Sequence, residues 1–443
     1  MDSLLNAINP FGRYQASLYS IKVKIIIILF WKKIMKQNAY IIGVGMTPFG
    51  NHLDKGFNQL AVAAITEALK DSGLDKKQLQ AAYMGASAAP IITGQVCITG
   101  QVALRSMGIG GIPVVNVENA CATSATAFQQ ASTMVTAGLY DVVLAVGCDK
   151  LYHEDKSRTL SVFEGGVDVE NLPAFHAFVN ENMAKHAIDV ELDASKRSVF
   201  MDLYACMARD HMKNYGSTAR HFAQISAKNS VHGSLNPLAQ YRNILTADEV
   251  LADRMIADPL TLTMCAPIGD GAAAAIIVSE RKLRELGAVN PVRILSSVLM
   301  GGWDYVGDEP KVTETAAKQA YEEAGIGPEN LSCVELHDAS SPAELIHYEN
   351  LGLCPRGEAV RLVEDKETSL GGKIPVNTSG GLNRKGHPIG PTGISQIVEL
   401  TEQIRGRAGK RQVEGACTGL AENGGGHIGT DVATVVVSIL SNK

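Results

Sequence analysis

From residue 36 onwards, short runs of β-branched residues alternate with segments of helical periodicity, and this alternation indicates an α/β fold. Residues 58–72 place their apolar side chains with a helical period, whereas residues 112–117 and 141–147 are apolar runs that predict buried strands. A helix rich in Ala, Ser and Thr is predicted between those strands, at about residues 122–137. Residues 269–280 (GDGAAAAIIVSE) predict a further buried strand.

The chain also contains an internal repeat. Residues 68–85 align without gaps with residues 320–337, and each segment ends a helix at a Gly, has a Leu six residues later and continues into a strand. Each segment is followed later by Pro-Val, a turn and another helix. That turn carries Cys121 in the first half and His387 in the second. Halves that pack about a pseudo-dyad would bring these two turns face to face.

These patterns predict a division of the chain into two similar halves. We assign residues 36–285 to the first half and residues 286–443 to the second. The stretch from about 150 to 250 is less regular and has a helical part near 200–215. It is expected to be an inserted loop or lid domain, a kind of element that often holds substrate side chains.

Composition and charge narrow the class of protein. Of 443 residues, 46% are apolar and 19% charged, which is typical of a folded globular chain. The net charge of −6 argues against non-specific binding to nucleic acid or anionic membrane. Eight cysteines without a CxxC pair predict free thiols in a reducing, cytoplasmic compartment. Met and aromatic residues show no stripe beyond normal packing, and most cysteines other than Cys121 are predicted to be core residues: Cys97, Cys148, Cys206, Cys265, Cys333, Cys354 and Cys417.

Residues 1–34 are interpreted as an extension outside the fold. Their uncharged apolar run at 25–31 has seven residues, far short of the roughly 20 that a membrane-spanning helix needs. No small-residue cleavage site of a signal peptide follows it. Because the apolar run is so short, we expect no stable membrane insertion. Met35 then opens a segment typical of a domain start. A weak membrane anchor is the minority interpretation.

Cys121 lies in VENACATSATAFQQA, between a predicted strand and a predicted helix. The positive end of the helix would favour the thiolate and lower the pKa of the thiol. The backbone N–H of Cys121 would also be free to bind an oxyanion. On this stretch alone, a small buried side chain is the more common interpretation of a free cysteine.

Two histidines are candidate partners of the cysteine. His387 stands between Gly386 and Pro388, a pattern that predicts the start of a helix with Pro in its first turn. A rigidly held imidazole there could take a proton from a thiol, although a turn-capping histidine is an equally common interpretation. His337 lies in ELHDASSPAEL at the carboxyl end of a predicted strand, where α/β sheets bind ligands. Asp338 could be a turn residue with His337 as its partner.

The last motif is LAENGGGHIGTDVATVVVSIL. Gly424, Gly426 and Gly429 have GxGxxG spacing, but a β-rich run rather than a helix follows, so a dinucleotide site is rejected. Three consecutive glycines suggest that the backbone passes very near a ligand or another chain. Glu422 directly precedes them, an unusual position for a solvated carboxylate. His427 is predicted to be structural.

Four motifs in this order resemble the thiolase superfamily: NACATSATA, HDASSPAEL, NTSGGLNRKGHPIGPTG and ENGGGHIG. The likeness is greatest to thiolases of the sterol-carrier-protein-x type and covers about residues 36–443. It implies the thiolase fold, with two duplicated βαβαβ-type halves packed as α/β/α/β/α layers and an inserted lid. Within the third motif, the resemblance assigns substrate binding to Ser379 and Gly380.

The resemblance also assigns catalytic roles. Cys121 stands at the position of the acylated nucleophile, and His387 at that of the histidine that activates it. His337 stands at the position of a histidine that helps to hold the substrate thioester oxygen through a water. The N–H groups of Cys121 and Gly424 would form a second oxyanion site. Because nucleophile, base and donors now converge, the resemblance favours the nucleophile interpretation of Cys121.

This chain departs from the family at the second cysteine, which acts as acid and base. Most members carry it where this chain has Glu422, and the sterol-carrier type has a cysteine where this chain has Ala339. The aromatic residue that follows is here Ser340, and Cys417 is not expected to reach the site. A carboxylate in a dry pocket can shuttle protons, so Glu422 is the predicted substitute.

The expected function is therefore that of a thiolase-type acyl-CoA C-acyltransferase, with acyl-CoA and CoA as ligands and with neither a metal nor a tightly bound cofactor. Transfer of the acyl group to CoA and transfer to a carbon nucleophile stay open. So do a retro-aldolase or another altered chemistry on the same fold, and a non-catalytic acyl-CoA or lipid-binding protein. The resemblance implies a homodimer or a dimer of dimers, and some relatives work with a small zinc-ribbon/OB-fold partner.

Overall fold

The computed structural model describes residues 37–443 apart from residues 187, 189–197, 289 and 306–308. Its strands within this part of the chain are β1 (Ala39–Met46), β2 (Ala81–Gly85), β3 (Val114–Val117), β4 (Val142–Asp149), β5 (Met255–Ala257), β6 (Leu260–Thr261), β7 (Gly271–Ser279), β8 (Val292–Gly301), β9 (Cys333–Glu335), β10 (Thr418–Ile428) and β11 (Asp431–Ser441). Nine of them form one mixed sheet in the order β3-β2-β4-β7-β1-β8-β11-β10-β9, and β5 pairs with β6. β1 joins the two halves of the sheet, because it pairs with both β7 and β8.

The helices form three layers around the sheet. In chain order, the α-helices of the described residues are α1 (Phe57–Ser72), α2 (Ala89–Thr93), α3 (Thr99–Ser106), α4 (Thr123–Thr136), α5 (Lys156–Glu164), α6 (Leu172–Lys185), α7 (Val199–Tyr215), α8 (Ala219–Leu235), α9 (Ala247–Ala252), α10 (Glu280–Leu286), α11 (Val312–Ala324), α12 (Ser341–Asn350), α13 (Ala359–Glu364), α14 (Gly381–Lys385) and α15 (Thr392–Ile404). α1 and α3 pack on the outer face of the first half. α4 and α15 lie between the halves, and α7, α8, α11 and α12 cover the second half.

This order confirms the predicted α/β/α/β/α layers. The central strands are apolar on both faces because both faces are covered. In β4, Val142, Leu144 and Val146 face the outer cluster, whereas Val143 and Ala145 face the helices between the halves. The strand therefore lacks the apolar–polar alternation of a strand with one solvated face.

The internal repeat is confirmed in the hydrogen bonds of the sheet. Ala82 and Val334, which the ungapped alignment pairs, each donate their N–H to the proline of their own Pro-Val. Ala82 binds the carbonyl of Pro113 and Val334 that of Pro375, both at 3.0 Å. The preceding helices, α1 and α11, both end at a glycine in the left-handed conformation. The two halves thus repeat the same local construction.

The element boundaries refine several predictions. The strand predicted at 112–117 begins at Val114, and the strand predicted at 141–147 runs to Asp149. Helix α10 lies at the predicted boundary between the halves. The predicted lid region holds α5 to α8 and the start of α9.

The predicted extension, residues 1–34, lies outside the described residues. Within the part of the chain that the structure describes, no helix is both long enough and apolar enough to cross a membrane. Cys97 is exposed, so its prediction as a core residue is wrong.

Candidate active site

A cavity of about 680 Å³ opens where the two halves and the lid helices meet. Five of the predicted site residues line it: Cys121, His337, His387, Glu422 and Gly424. They come from opposite halves of the chain, so the duplication brings the two turns together as the sequence predicts.

Cys121 lies in a single 3₁₀ turn, Ala120–Ala122, directly before α4. Ala120 has a φ of +46°, a left-handed conformation that is uncommon for a residue with a side chain. Glu118 Oε1 accepts the N–H of Ala120 at 2.6 Å and helps to hold this turn. β10 passes against the turn at Gly425, where a Cβ atom would lie 2.3 Å from a backbone oxygen. The glycine run is therefore needed for this close approach.

His387 faces the cysteine across the cavity. Its Nε2 lies 3.3 Å from Cys121 Sγ, and its Nδ1 lies 2.9 Å from Thr392 Oγ1. With Nδ1–H donating to that hydroxyl, Nε2 keeps a lone pair to accept the thiol proton. The backbone N–H of His387 donates to Pro267 O. The helix α15 begins only at Thr392, so the prediction that Pro388 lies in its first turn is wrong.

Burial controls the charges of this pair. The surrounding protein shields the Cys121 thiol from bulk water, and burial raises its pKa to about 12, with further contributions from Asp149 and Glu118. Burial lowers the pKa of His387 to about 3. The predicted lowering of the thiol pKa by the helix end is therefore wrong. At neutral pH the site holds a thiol and a neutral imidazole.

His337 lies two residues after the end of β9 and is also buried. Its Nδ1 lies 2.8 Å from Asn423 Nδ2, which donates to it, so the ring proton is on Nε2. Its ring stands perpendicular to that of His387 with the centroids 5.2 Å apart. Burial and then the neighbouring His387 hold the pKa of His337 well below its usual range. His337 can therefore act as a neutral hydrogen-bond donor.

Glu422 lies on β10 with its side chain fully buried. Its Oε2 accepts the backbone N–H of His337 at 2.9 Å. Its Oε1 has no hydrogen-bond partner among the described residues, although the residue lines the cavity. An unpaired carboxylate oxygen in the same cavity as the Cys121 thiol is a candidate proton acceptor. Asp338, in contrast, accepts the N–H groups of Leu382 and Asn383 at the start of α14, not a bond from His337.

The three central groups could also ligate a metal. Cys121 Sγ and one ring nitrogen from each of His337 and His387 lie within 4.8 Å of one another. Thiolate and imidazole are the ligands that Zn²⁺ prefers. A metal bound there would occupy both the thiol and the base of the site.

The chain matches two family models, "Thiolase, N-terminal domain" over residues 39–281 and "Thiolase C-terminal domain-like" over residues 309–439. The benzoylsuccinyl-CoA thiolase subunit BbsB of Thauera aromatica is 37% identical over 388 residues, which cover 86% of this chain and 92% of that protein. The chain belongs to the thiolase family. The acetyl-CoA acetyltransferase of Methanothermobacter thermautotrophicus is 36% identical, covering 89% of this chain and 98% of that protein. Sterol carrier protein 2 of Homo sapiens is 34% identical, covering 89% of this chain and 71% of that protein.

Solved structures share the fold. The Ltp2–ChsH2(DUF35) aldolase superposes with a TM-score of 0.71 at 23% identity, over 93% of this chain and 99% of that chain. Human mitochondrial 3-ketoacyl-CoA thiolase gives a TM-score of 0.66 at 14% identity, over 92% of this chain and 99% of that chain. These likenesses show the thiolase fold. Membership of the family supports an acyltransferase that uses CoA thioesters.

The position of the second cysteine of sterol-carrier-type thiolases is occupied by Ala339, which lines the cavity. Cys265 also lines it and lies beside Ala339, because the next residue, Ala266, donates its N–H to Ala339 O at 2.9 Å. The Cys265 thiol donates to Thr261 O, and burial raises its pKa to about 12. Cys206 is a third cysteine of the cavity wall. The prediction of Cys206 and Cys265 as plain core residues missed this location.

Helix α7 of the lid supplies a wall that the sequence analysis missed. Phe200, Leu203, Tyr204 and Met207 all line the cavity and are spaced i, i+3, i+4 and i+7. This stripe contradicts the prediction that Met and aromatic residues serve only normal packing. Tyr204 is the polar member. Burial, then the charges that Cys121 and Glu422 would carry, raise the pKa of its phenol.

Ser379 and Gly380 do not line the cavity. The hydroxyl and the N–H of Ser379 both donate to the buried carboxylate of Glu335, at 2.5 and 3.0 Å. Gly380 has a φ of +99°, and a Cβ there would lie 2.7 Å from Gly233 Cα. The structure thus places these two residues outside the cavity wall, and the substrate contact implied by the resemblance stays a prediction. His427, predicted as structural, does line the cavity, beside Phe178 of α6.

Proposed function

We propose that this thiolase-family enzyme is an acyl-CoA C-acyltransferase that carries its acyl group as a thioester on Cys121. The proposal rests on the 3.3 Å contact between Cys121 Sγ and His387 Nε2 inside the cavity. A non-catalytic acyl-CoA-binding protein would need neither a nucleophile nor a base in contact with it.

In the first half-reaction, Cys121 Sγ attacks the thioester carbonyl of acyl-CoA while His387 Nε2 takes the thiol proton. The carbonyl oxygen is stabilised by the N–H groups of Cys121 and Gly424. The bond from carbon to the CoA sulfur then breaks, and His387 returns the proton to that sulfur. The products are the acyl group on Cys121 and free CoA.

In the second half-reaction, the acyl group leaves Cys121 for CoA or for a carbon nucleophile. For carbon–carbon bond formation, the free Oε1 of Glu422 would remove the α-proton of a second acyl-CoA, whose thioester oxygen His337 Nε2–H helps to bind. The carbanion attacks the acyl carbonyl, and the bond to Cys121 breaks with the sulfur leaving as a thiolate. The α-proton held by Glu422 then passes to that sulfur, which restores both groups. Thiolysis is the reverse sequence.

The lid indicates the class of acyl group. Phe163 and Phe178 join the apolar stripe of α7 around a cavity of about 680 Å³, within the range of pockets that hold drug-sized ligands. We propose a bulky apolar acyl group in place of a bare acetyl group. The name of the benzoylsuccinyl-CoA thiolase relative supports an aromatic acyl group for this chain.

A size test separates these substrates. Met207→Trp should lower kcat/KM for long or aromatic β-ketoacyl-CoA thioesters at least tenfold, while acetoacetyl-CoA is nearly unaffected, since Trp narrows the α7 wall. Leu139→Trp, at an exposed position outside the cavity, is the control. Equal losses for all chain lengths would refute the assignment of α7 to the acyl group.

The edge of the sheet and the relatives also suggest how the protein assembles. We propose a cytoplasmic homodimer formed along β3, the edge strand of the first half, on which Val115 is 43% exposed. The name of the BbsB relative, a thiolase subunit, supports the proposal of a further small partner protein. We propose CoA thioesters as substrates, with no tightly bound cofactor. Sedimentation analysis of the purified chain that gives only monomer would contradict the dimer.

Two measurements test the central proposal. Incubation with acyl-CoA should add one acyl mass to the peptide that contains Cys121, and Cys121→Ser should abolish this addition. A thiolysis assay across β-ketoacyl-CoA lengths should then give turnover. Bound CoA without acylation would favour the non-catalytic alternative, and cleavage of a β-hydroxyacyl-CoA without acylation would favour the retro-aldolase.

A further inference from the structure

In the loop that carries His387, one residue uses both of its backbone groups to bind the first half. The N–H of Gly390 donates to Asp149 Oδ2 at 2.8 Å. The carbonyl of Gly390 accepts the N–H of Ser124, in the first turn of α4, at 3.1 Å. Both hydrogen-bonding groups of Gly390, three residues after His387, are therefore held by the half that carries Cys121.

Asp149 ends β4 and is fully buried. Its Oδ1 accepts the N–H of Ala89 at 2.6 Å, and both of its oxygens lie within 3.3 Å of the N of Ser87. No described residue forms a salt bridge with it, so backbone N–H groups alone compensate for the burial of this carboxylate. A Cβ on Gly390 would lie 2.5 Å from Asp149 Oδ2, which leaves no room for another side chain there.

We propose that Asp149 is a positioning residue that holds the His387 loop against Cys121 through the N–H of Gly390. The inference rests on the proposed function, since it concerns the pair that would carry out acyl transfer. Loss of this bond removes one of the hydrogen bonds that hold the loop next to the base, so that the loop can shift. A displacement of about 1 Å at reacting groups can lower a rate by two orders of magnitude.

Asp149 also acts on the thiol through its charge. After burial, Asp149 and then Glu118 are the groups that raise the pKa of Cys121. The titratable groups around this thiol are His387, His337, Glu422, Tyr204, Asp149 and Glu118. Glu118 does not bind the His387 loop; its Oε1 binds Ala120 N–H and Ser87 Oγ. Glu118→Gln therefore removes a charge of the same sign and keeps an oxygen for its own bonds.

The test compares Asp149→Asn with Glu118→Gln in the full chain. Both variants should move the pH profile of Cys121 alkylation by iodoacetamide to lower pH, because a nearby negative charge is lost. Only Asp149→Asn should slow single-turnover acyl transfer from acyl-CoA to Cys121, by roughly 10- to 100-fold. It should also speed hydrogen exchange in the peptide that covers residues 386–392. If Asp149→Asn merely destabilised the fold, it would not make the Cys121 thiol easier to ionise and at the same time slow its acylation.

Equal acyl-transfer rates in the two variants, or unchanged exchange in the 386–392 peptide, would overturn the proposal. If Asp149→Asn does not fold, Asp149→Ser, which is smaller and places no amide N–H against Gly390, takes its place in both measurements. Failure of the wild-type chain to be acylated by any acyl-CoA would refute the proposed function instead. The exchange measurement, which needs no substrate, would still decide the role of Asp149.

Discussion

At the scale of the residue, burial decides how Cys121 and His387 work. Burial raises the pKa of the thiol to about 12 and lowers that of the imidazole to about 3, so neither group is charged at rest. The 3.3 Å contact allows the proton to move when a thioester carbonyl arrives. A neutral thiol is also a poor nucleophile toward small oxidants and alkylating agents, so this arrangement keeps the sulfur unreactive between turnovers.

In the proposed mechanism, Glu422 acts in the second half-reaction and not in the first, so its substitution should affect the two steps differently. In Glu422→Gln, acylation of Cys121 should stay within a few-fold of wild type, because Cys121 and His387 are intact and an amide oxygen can still accept the His337 N–H. Carbon–carbon bond formation and exchange of the α-proton should fall by about 10²- to 10⁴-fold, the usual contribution of a general base. Mass spectrometry of the acyl-enzyme and proton–deuterium exchange of the second acyl-CoA measure the two steps.

Glu414→Gln, at an exposed position four residues before the start of β10, is the control and should leave both steps unchanged. Normal α-proton exchange in Glu422→Gln would exclude Glu422 as the base. Tyr204 and Cys265, two further titratable groups of the cavity wall, would then be the next to test.

The sequence could predict that the turns of Cys121 and His387 face each other, because the repeat places them in equivalent positions, whereas the resemblance to thiolases implied their roles. It could not predict their pKa values, since shielding from water depends on the packed lid and not on neighbours in the chain. Tyr204 and Cys265 were missed for a related reason. Their segments look like ordinary packing until the fold places α7 and the loop before β7 around one cavity.

At the scale of the element, α4 and α15 cross at their first turns, close to the residues that react. A Cβ at Gly393 would lie 2.6 Å from Ala125 N and 2.5 Å from Ala125 Cβ. Gly393→Ala should therefore push the two helix starts apart and separate Cys121 from His387. We expect a lower Tm and at least tenfold slower acyl transfer, although Ala is the better helix former by about 1 kcal/mol.

The matched control is Gly110→Ala, where the added methyl group meets open space and φ is not positive. It should leave the Tm and the acyl-transfer rate close to wild type. A Gly393→Ala enzyme with normal acylation and a raised Tm would show that helix propensity outweighs the crowding at this crossing.

The elements themselves follow the sequence where periodicity is strong. α1 begins one residue before the prediction and ends at the same residue. The His387 segment is harder, because Gly386 and Pro388 suit both a helix start and an extended turn. The decisive contact is tertiary: the N–H of His387 binds Pro267, more than a hundred residues away. Local pattern cannot supply that partner.

At the scale of the whole molecule, the candidate active site lies where the two halves meet. β1 joins the halves in one sheet, α4 and α15 pack between them, and Asp149 links the end of β4 to the loop before α15. The repeat predicted that the two turns face each other. The repeat does not reveal Asp149, because its hydrogen bond with Gly390 joins residues 241 positions apart in the chain.

Asp149 should also make the stability of the whole fold depend on pH. Burial raises its pKa from 3.8 to about 7, so the unfolded chain ionises this group more readily than the folded chain. The contribution is favourable at pH 4 and is lost as the pH rises through 7, a change of about 4 kcal/mol in the free energy of unfolding. Asp149→Asn cannot ionise, so its stability relative to wild type should rise between pH 4 and pH 8 in urea unfolding, whereas a pH-independent difference would mean that Asp149 is ionised throughout.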